Sequence, residues 1–255
     1  MNVRELQERA ARGLPAAEVT DVGGWWLRHA PGCSWWVGTV LAHGDGDLAR
    51  GIAAAEAFYA ERGTTTRFQV SPASPAGLDT ALAARGYRYD GRMSLRTAPI
   101  ERVARPVDVR VTEQPADAWF TTWHAVHGGD PDAERALLDR ITHPSGYASV
   151  VLDGAVVAVG RAVLDSGWAG VFGMATLPAA RGRGAAGAVL AALANWAAHR
   201  SATSLYLQVA ADNAAALLVY DRAGFREVCA YHYRAATQDS CTTAAPATER
   251  PSRGS

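Results

Sequence analysis

The chain has 255 residues, a formal net charge of +0, 49% hydrophobic and 20% charged residues, and three cysteines. This balance excludes a mostly disordered chain and argues against a general nucleic-acid binder; no apolar run approaches the roughly 20 residues of a bilayer span, and the charged, helical opening is not that of a signal peptide. Cys33, Cys229 and Cys241 are odd in number and widely spaced, so neither a disulfide framework nor a zinc cluster is expected, and a reducing cytoplasm is the expected compartment.

Residues 3–12 read as a short amphipathic helix. Two tryptophan-rich runs, 24–30 and 34–41, flank Pro31-Gly32 and read as strand, turn, strand, which would put Trp25, Trp26, Trp35 and Trp36 on paired strands. Ile52, Ala55, Phe58 and Tyr59 recur at helical spacing within 48–62, and Gly63 closes that helix. A strand at 67–70, a helix at 75–85 ended by Gly86 and a strand at 87–96 complete the first half. Residues 97–106 carry prolines and charges without periodicity and mark the expected boundary, between a unit at 1–100 and another at 107–236.

The second half begins with a strand at 107–112 and helices at 116–126 and 131–141. Runs 147–152 and 155–163 around Asp153-Gly154 form a hairpin signal. A strand at 168–176 leads through a glycine-rich turn into a helix at 185–199. A strand at 205–209, a helix at 213–223 stopped by Gly224 and a strand at 226–234 follow. The tail 237–255, rich in Thr, Ala, Pro and Ser, is expected to be disordered.

The series strand, glycine turn, helix, strand, helix, Gly-aromatic, strand occurs twice. Phe68-Gln69-Val70 matches Leu207-Gln208-Val209, and Ala84-Arg85-Gly86-Tyr87 sits where Arg222-Ala223-Gly224-Phe225 sits in the second copy. Two α/β units in tandem are the simplest account.

The segment Thr176-Leu177-Pro178-Ala179-Ala180-Arg181-Gly182-Arg183-Gly184-Ala185-Ala186 carries the chemistry. A strand ends, a tight loop follows, and a helix begins; the unpaired N–H groups of a helix start, with its dipole, make an anion site suited to a pyrophosphate. Arg181 and Arg183 add forked cationic donors. Downstream, Asn213 and Tyr220 lie two helical turns apart and share a face. All basic residues are Arg, so a Walker lysine or a lysine Schiff base is impossible.

This pattern resembles the GNAT superfamily of acyl-CoA-dependent N-acyltransferases over about residues 107–234. The resemblance rests on the Arg-x-x-Gly-x-Ala signature (Arg181, Gly184, Ala186), the Thr176-x-Pro178 lead-in, and the Asn213, Tyr220, Gly224-Phe225 series. It implies a mixed α/β (α+β) fold of two tandem GNAT-like units, the N-terminal one incomplete. It also implies an acetyl-CoA-dependent transfer to a primary amine of a small molecule or peptide, with no metal. Arg181, Gly182, Arg183, Gly184, Ala185 and Ala186 would wrap the CoA pyrophosphate. Met174, Ala175 and Thr176 would pair with the pantetheine arm, where their strand splays from its neighbour. Asn213 would contact the pantetheine, and Tyr220, beside the sulfur, would be the general acid for the leaving thiolate.

Some members carry a glutamate base where this chain has Gln208, so the base lies elsewhere, acts through water or is not needed; His124, His127, Asp130 and Asp132 are the candidates. In the first half, His43-Gly44-Asp45-Gly46-Asp47 replaces the Arg-Gly loop, Pro75 and Leu82 fall at the Asn213 and Tyr220 places, and the unit reads as degenerate. A non-catalytic acyl-CoA sensor or scaffold is the alternative, mildly favoured by Gln208. Neither nucleic acid nor membrane is an expected partner. The acceptor's identity and the oligomeric state stay open, a monomer being consistent with the reading.

Overall fold

The computed structural model describes residues 2–237, and within them the chain builds one mixed sheet of 11 strands. The first half consists of α1 (Val3–Gly13), β1 (Glu18–Val22), β2 (Trp25–His29), β3 (Val40–Ala42), α2 (Leu48–Glu61), β4 (Arg67–Val70), α3 (Leu78–Ala84) and β5 (Arg88–Pro99). A short α4 (Ile100–Val103) leads to β6 (Arg110–Thr112), α5 (Asp117–His127), α6 (Pro131–Asp139), β7 (Ser145–Leu152), β8 (Ala155–Asp165) and β9 (Trp168–Thr176). A single 3₁₀ turn at Pro178–Ala180, α7 (Ala185–Ala198), β10 (Ser204–Ala210), α8 (Ala214–Arg222) and β11 (Arg226–Ala235) complete it.

The spatial order is β1-β2-β3-β4-β11-β5-β10-β9-β8-β7-β6. At its centre the two halves exchange strands. β5 lies antiparallel between β10 and β11, and β11 lies antiparallel between β4 and β5. Around the exchange the pairings match: β3 runs parallel to β4, as β9 runs parallel to β10.

One sheet face is covered by α7, whose apolar side (Val189, Leu190, Leu193, Trp196) joins Ala148, Ala158, Ala162 and Val171 in the largest core cluster. A second cluster joins Trp25, Leu27 and Phe68 to Ile52, Phe58 and Tyr59 of α2 and to Leu78 and Leu82 of α3. On the opposite face, Leu6 and Ala10 of α1 pack on Leu95, Tyr206, Tyr231 and Tyr233 at the strand exchange. Trp119 and Phe120 of α5 cover Tyr147, Val159 and Ala175. Asn2 caps α1 in a capping box with Glu5, and Arg9 and Arg12 of α1 hold Asp165 at the end of β8 at 2.7 and 2.8 Å.

Three readings of the sequence differ from the structure. The run 34–41 is not a strand over most of its length: residues 34–38 form turns, leaving Trp35 and Trp36 39% and 41% exposed, and only Val40–Ala42 joins the sheet. The missing hairpin partner is β1, a mostly exposed edge strand without strong alternation, which pairs with β2 across Gly23-Gly24. The segment 97–106 is ordered, because β5 continues to Pro99 to match the length of β10, and α4 packs Ile100 and Val103 into the core. The expected tail lies, beyond Thr237, outside the described residues. Among the described residues, no helix is long and apolar enough to cross a membrane, and no group of three or more His, Cys, Asp or Glu residues is placed to hold a metal.

Candidate active site

β9 and β10 pair only from Ser204 with Trp168 to Leu207 with Val171. Beyond that point the two strands separate, while β9 stays paired to β8 through Ala175 with Val159 and Thr176 with Ala158. The register to β8 slips between Phe172 and Ala175, where Gly173 takes φ +58°; this is a bulge, and it places an extra residue outside the ladder. The β9 edge from Phe172 to Thr176 that faces β10 is therefore without a strand partner among the described residues. Met174, Ala175 and Thr176 line the cleft that opens there.

The glycine loop ends in the start of α7. Gly182 and Gly184 adopt φ +75° and +80°, conformations that cost an L-residue strain, and Gly184 occupies the N-cap without any side-chain cap. The first N–H bonded within the helix is that of Ala188, to the Gly184 carbonyl, so the preceding amides keep the donor character of an uncapped helix start. Arg181, Gly182, Gly184, Ala185 and Ala186 line the cleft; Arg183 is exposed beside it and is not part of the lining. Neither Arg181 nor Arg183 is tied into an ion pair within the described residues.

α8 supplies the opposite wall. Asn213 is its N-cap and accepts a hydrogen bond from the Ala216 amide at 3.1 Å, which leaves its amide donors for other partners. Two turns on, Tyr220 packs on Phe225 with ring centroids 5.8 Å apart and is 7% exposed. Its hydroxyl has no hydrogen-bond partner among the described residues, and burial pushes its pKa up to about 12, so the phenol is a proton donor at neutral pH. Gln208 also lines the cleft, its carbonyl oxygen accepting from the Tyr231 hydroxyl.

These residues share one cleft of ≈ 1120 Å³ with side chains of the first half. Trp35 and Trp36 are among the side chains that wall it. Trp119 and Trp123 stack in parallel at 6.5 Å beside it, Trp119 donating to the Gly160 carbonyl at 3.1 Å. Of the four candidate bases, His127 alone lines the cleft. It stacks on Trp123 at 5.1 Å, and desolvation of the ring pulls its pKa below the usual 6.5 against weaker opposing pulls from the Met174 carbonyl and Glu134, although the residue as a whole is exposed. His124 is bonded to the Gly129 carbonyl at 3.0 Å, Asp130 caps α6, and Asp132 lies exposed on α6 outside the lining. Among the cleft residues that escaped the sequence reading are Arg161 on β8 and Arg28 on β2, both buried. Each is an arginine set within an apolar run, a readable signal.

The first half's counterpart loop is built differently. His43 is buried, its ring nitrogens 3.0 and 3.3 Å from Gln7 and Glu8 of α1, and Asp47 caps α2 by accepting from the Arg50 amide at 2.8 Å. A carboxylate thus already occupies that helix start.

A sheet opened by strand splay beside an uncapped glycine-rich helix start defines the GNAT class of acetyltransferase folds. Solved structures agree. A GCN5-related N-acetyltransferase from Kribbella flavida superposes with TM-score 0.67 at 17% identity, covering 91% of this chain and 93% of that one. A tandem GNAT protein from the clavulanic acid biosynthesis pathway gives TM-score 0.59 at 15% identity, covering 91% and 87%. The uncharacterized N-acetyltransferase YobR of Bacillus subtilis (strain 168) is 27% identical over 247 residues, 91% of this chain and 98% of that protein. The family model described as probable histone acetyltransferase Rv0428c C-terminal matches residues 1–234, and the chain belongs to that family of GNAT N-acetyltransferases.

Proposed function

We propose that the protein is an acetyl-CoA-dependent N-acetyltransferase that moves an acetyl group to a primary amine by direct attack, both substrates being held in the one cleft. The observation that carries this reading is the alignment, along one cleft, of a free helix start, an unpaired strand edge and an unengaged phenol. These fit a pyrophosphate, a pantetheine amide chain and a thioester sulfur in that order.

In this reading Arg181 and the amides of residues 182–186 hold the diphosphate, with Arg183 adding charge from the rim. Main-chain groups of Met174, Ala175 and Thr176 take the pantetheine as an added strand, and Asn213 donates to it. His127, kept neutral by its surroundings, takes a proton from the ammonium of the acceptor, directly or through water. The amine nitrogen then bonds to the carbonyl carbon, the carbon–sulfur bond breaks, and the nitrogen's second proton passes through water to the phenolate that Tyr220 becomes as it protonates the sulfur. Tyr220 donates to the departing sulfur; desolvation raises the proton affinity of a thiolate there as it raises that of the phenol. Residues 107–236 carry this machinery. The first half, degenerate at its own glycine loop, supplies one wall of the acceptor region and the inserted β5. Free Cys33 and Cys229 suit a reducing cytoplasm.

The second reading, a binder without turnover, draws on Gln208, which cannot take a proton and is engaged by Tyr231. Release of CoA thiol across a panel of amines, with calorimetric titration of acetyl-CoA, separates the two. The enzyme reading expects amine-dependent release, and binding without release in any acceptor supports the sensor.

A further inference from the structure

Resting on that reading, we propose that the acceptor amine also bears a carboxylate, which Arg161 receives inside the cleft, so that the substrate is of amino-acid type. Arg161 is 2% exposed, yet its side chain forms no hydrogen bond and no ion pair among the described residues. Its Nη1 is buried without a partner. The guanidinium rests over the Phe172 ring at 4.9 Å, a contact that uses its face and leaves its in-plane donors free.

Burying a guanidinium is costly unless an anion meets it. Burial pulls Arg161 down to about 10, so it remains charged at neutral pH. The carboxylate nearest in effect, Glu134, lies beyond ion-pair distance, and its Oε1 accepts from the Ser34 amide and hydroxyl at 2.9 and 3.1 Å. Arg28, a second buried guanidinium lining the cleft, donates only to the Leu14 carbonyl and also lacks an acid. Against these two guanidiniums the cleft lining sets one buried carboxylate, Glu134, out of contact with either, so a net positive charge is left for a ligand although the chain as a whole is neutral.

The placement suits an acceptor. Arg161 pairs across strands with both Tyr147 and Phe172, so it shares the face covered by α5 and faces away from α7. Phe172 precedes Met174 by two strand residues, roughly 7 Å. An anion on Arg161 would then sit a few bonds from an amine poised at the bulge. The walls beside it are aromatic, with Phe172 under the guanidinium, Tyr147 on the next strand and Trp119 packed on Tyr147 at 5.1 Å, and they favour a substrate with an apolar body. A planar carboxylate matches one guanidinium fork better than a phosphate dianion would match these apolar walls.

The test uses the full-length protein and two measurements. CoA release is followed with free amino acids and with the matching amino-acid amides, and binding of N-acetyl amino acids and of their amides is followed by calorimetry. Acetyl-CoA titration of each variant reports whether the fold and coenzyme site are intact. Free acids are expected to exceed amides by about tenfold or more in kcat/KM and in affinity, because the amide leaves the buried donors unpaired. Arg161→Gln should collapse that ratio toward one through KM, and Arg161→Lys, which keeps the charge without the fork, should retain part of it. Equal use of acids and amides, a preference for phosphorylated amines, or an unchanged ratio in Arg161→Gln would overturn the proposal. If no amine releases CoA, the enzyme reading fails separately; the calorimetric preference for acids then still decides the role of Arg161.

Discussion

The Tyr220 side chain is only 7% exposed, yet it lines the cleft with a hydroxyl that no group of the described chain engages. Tyr220→Phe should therefore leave the fold and acetyl-CoA affinity unchanged while lowering kcat about 100-fold, the lower end of general-acid effects. Steady-state CoA release with calorimetry checks both halves of that statement. His127 makes a pH prediction. Only its neutral form can accept a proton, and its pKa lies below 6.5, so the acidic limb of kcat/KM should fall below pH 6.5. His127→Gln should lower the plateau and flatten that limb, measured across pH 5–8. Tyr220 was legible in the sequence because its spacing from Asn213 and from Gly224-Phe225 is local to one helix and its stop. Arg161 was not singled out: a charge in an apolar strand also fits an edge residue that snorkels to water, and only the packing of α5 over that face distinguishes the two.

At the level of elements, the turn into α7 depends on positive φ at Gly184. Gly184→Ala should destabilise the protein by about 1 kcal/mol and weaken acetyl-CoA binding, because the strained residue disturbs the amides that follow. Thermal melting and coenzyme titration report the two effects. The contact between α3 and β11 offers a second test. Asp79 accepts from Arg234 at 2.8 Å and lies 2.7 Å from His232, and these bonds, led by Arg234 and opposed by partial burial, hold its pKa at about 2 instead of 3.8. A carboxylate lowered on folding stabilises the native state above its unfolded pKa. That contribution is lost as pH falls through the folded value. Because Asp79 is substantially exposed, the contribution is discounted to about 1 kcal/mol. Asp79→Asn should show that loss in denaturant melts at pH 7 and approach wild type near pH 2. The regular elements were legible from periodicity and glycine stops, and most boundaries moved by only a few residues. The run 34–41 misled because five bulky apolar residues suggested a strand where the aromatics instead line a cleft, and β1 was missed because an exposed edge strand has little pattern to show.

On the scale of the whole molecule, the exchange of β5 and β11 binds the two halves into one sheet. Repetition of the element order was visible in the sequence, whereas the exchange was not: pairing between strands more than 100 residues apart leaves no local trace. Each half alone would lack its inserted strand and expose two long sheet edges. Fragments 1–104 and 105–255 are accordingly expected to be unfolded or aggregated when made separately and to recover a cooperative melt when co-expressed, as followed by circular dichroism and size-exclusion chromatography. A cooperative transition from either fragment alone would show that the exchange is dispensable. The same architecture explains why the cleft is lined from both halves, with Trp35 and Arg28 from one and Trp123 and Arg161 from the other.

The most direct measurement is a crystal structure of the full chain with acetyl-CoA. One coenzyme per chain is expected, its diphosphate on the amides at the start of α7, its pantetheine along Met174–Thr176, and its sulfur beside the Tyr220 hydroxyl. Density for the nucleotide at the His43–Asp47 turn, or a thioester remote from Tyr220, would contradict the account.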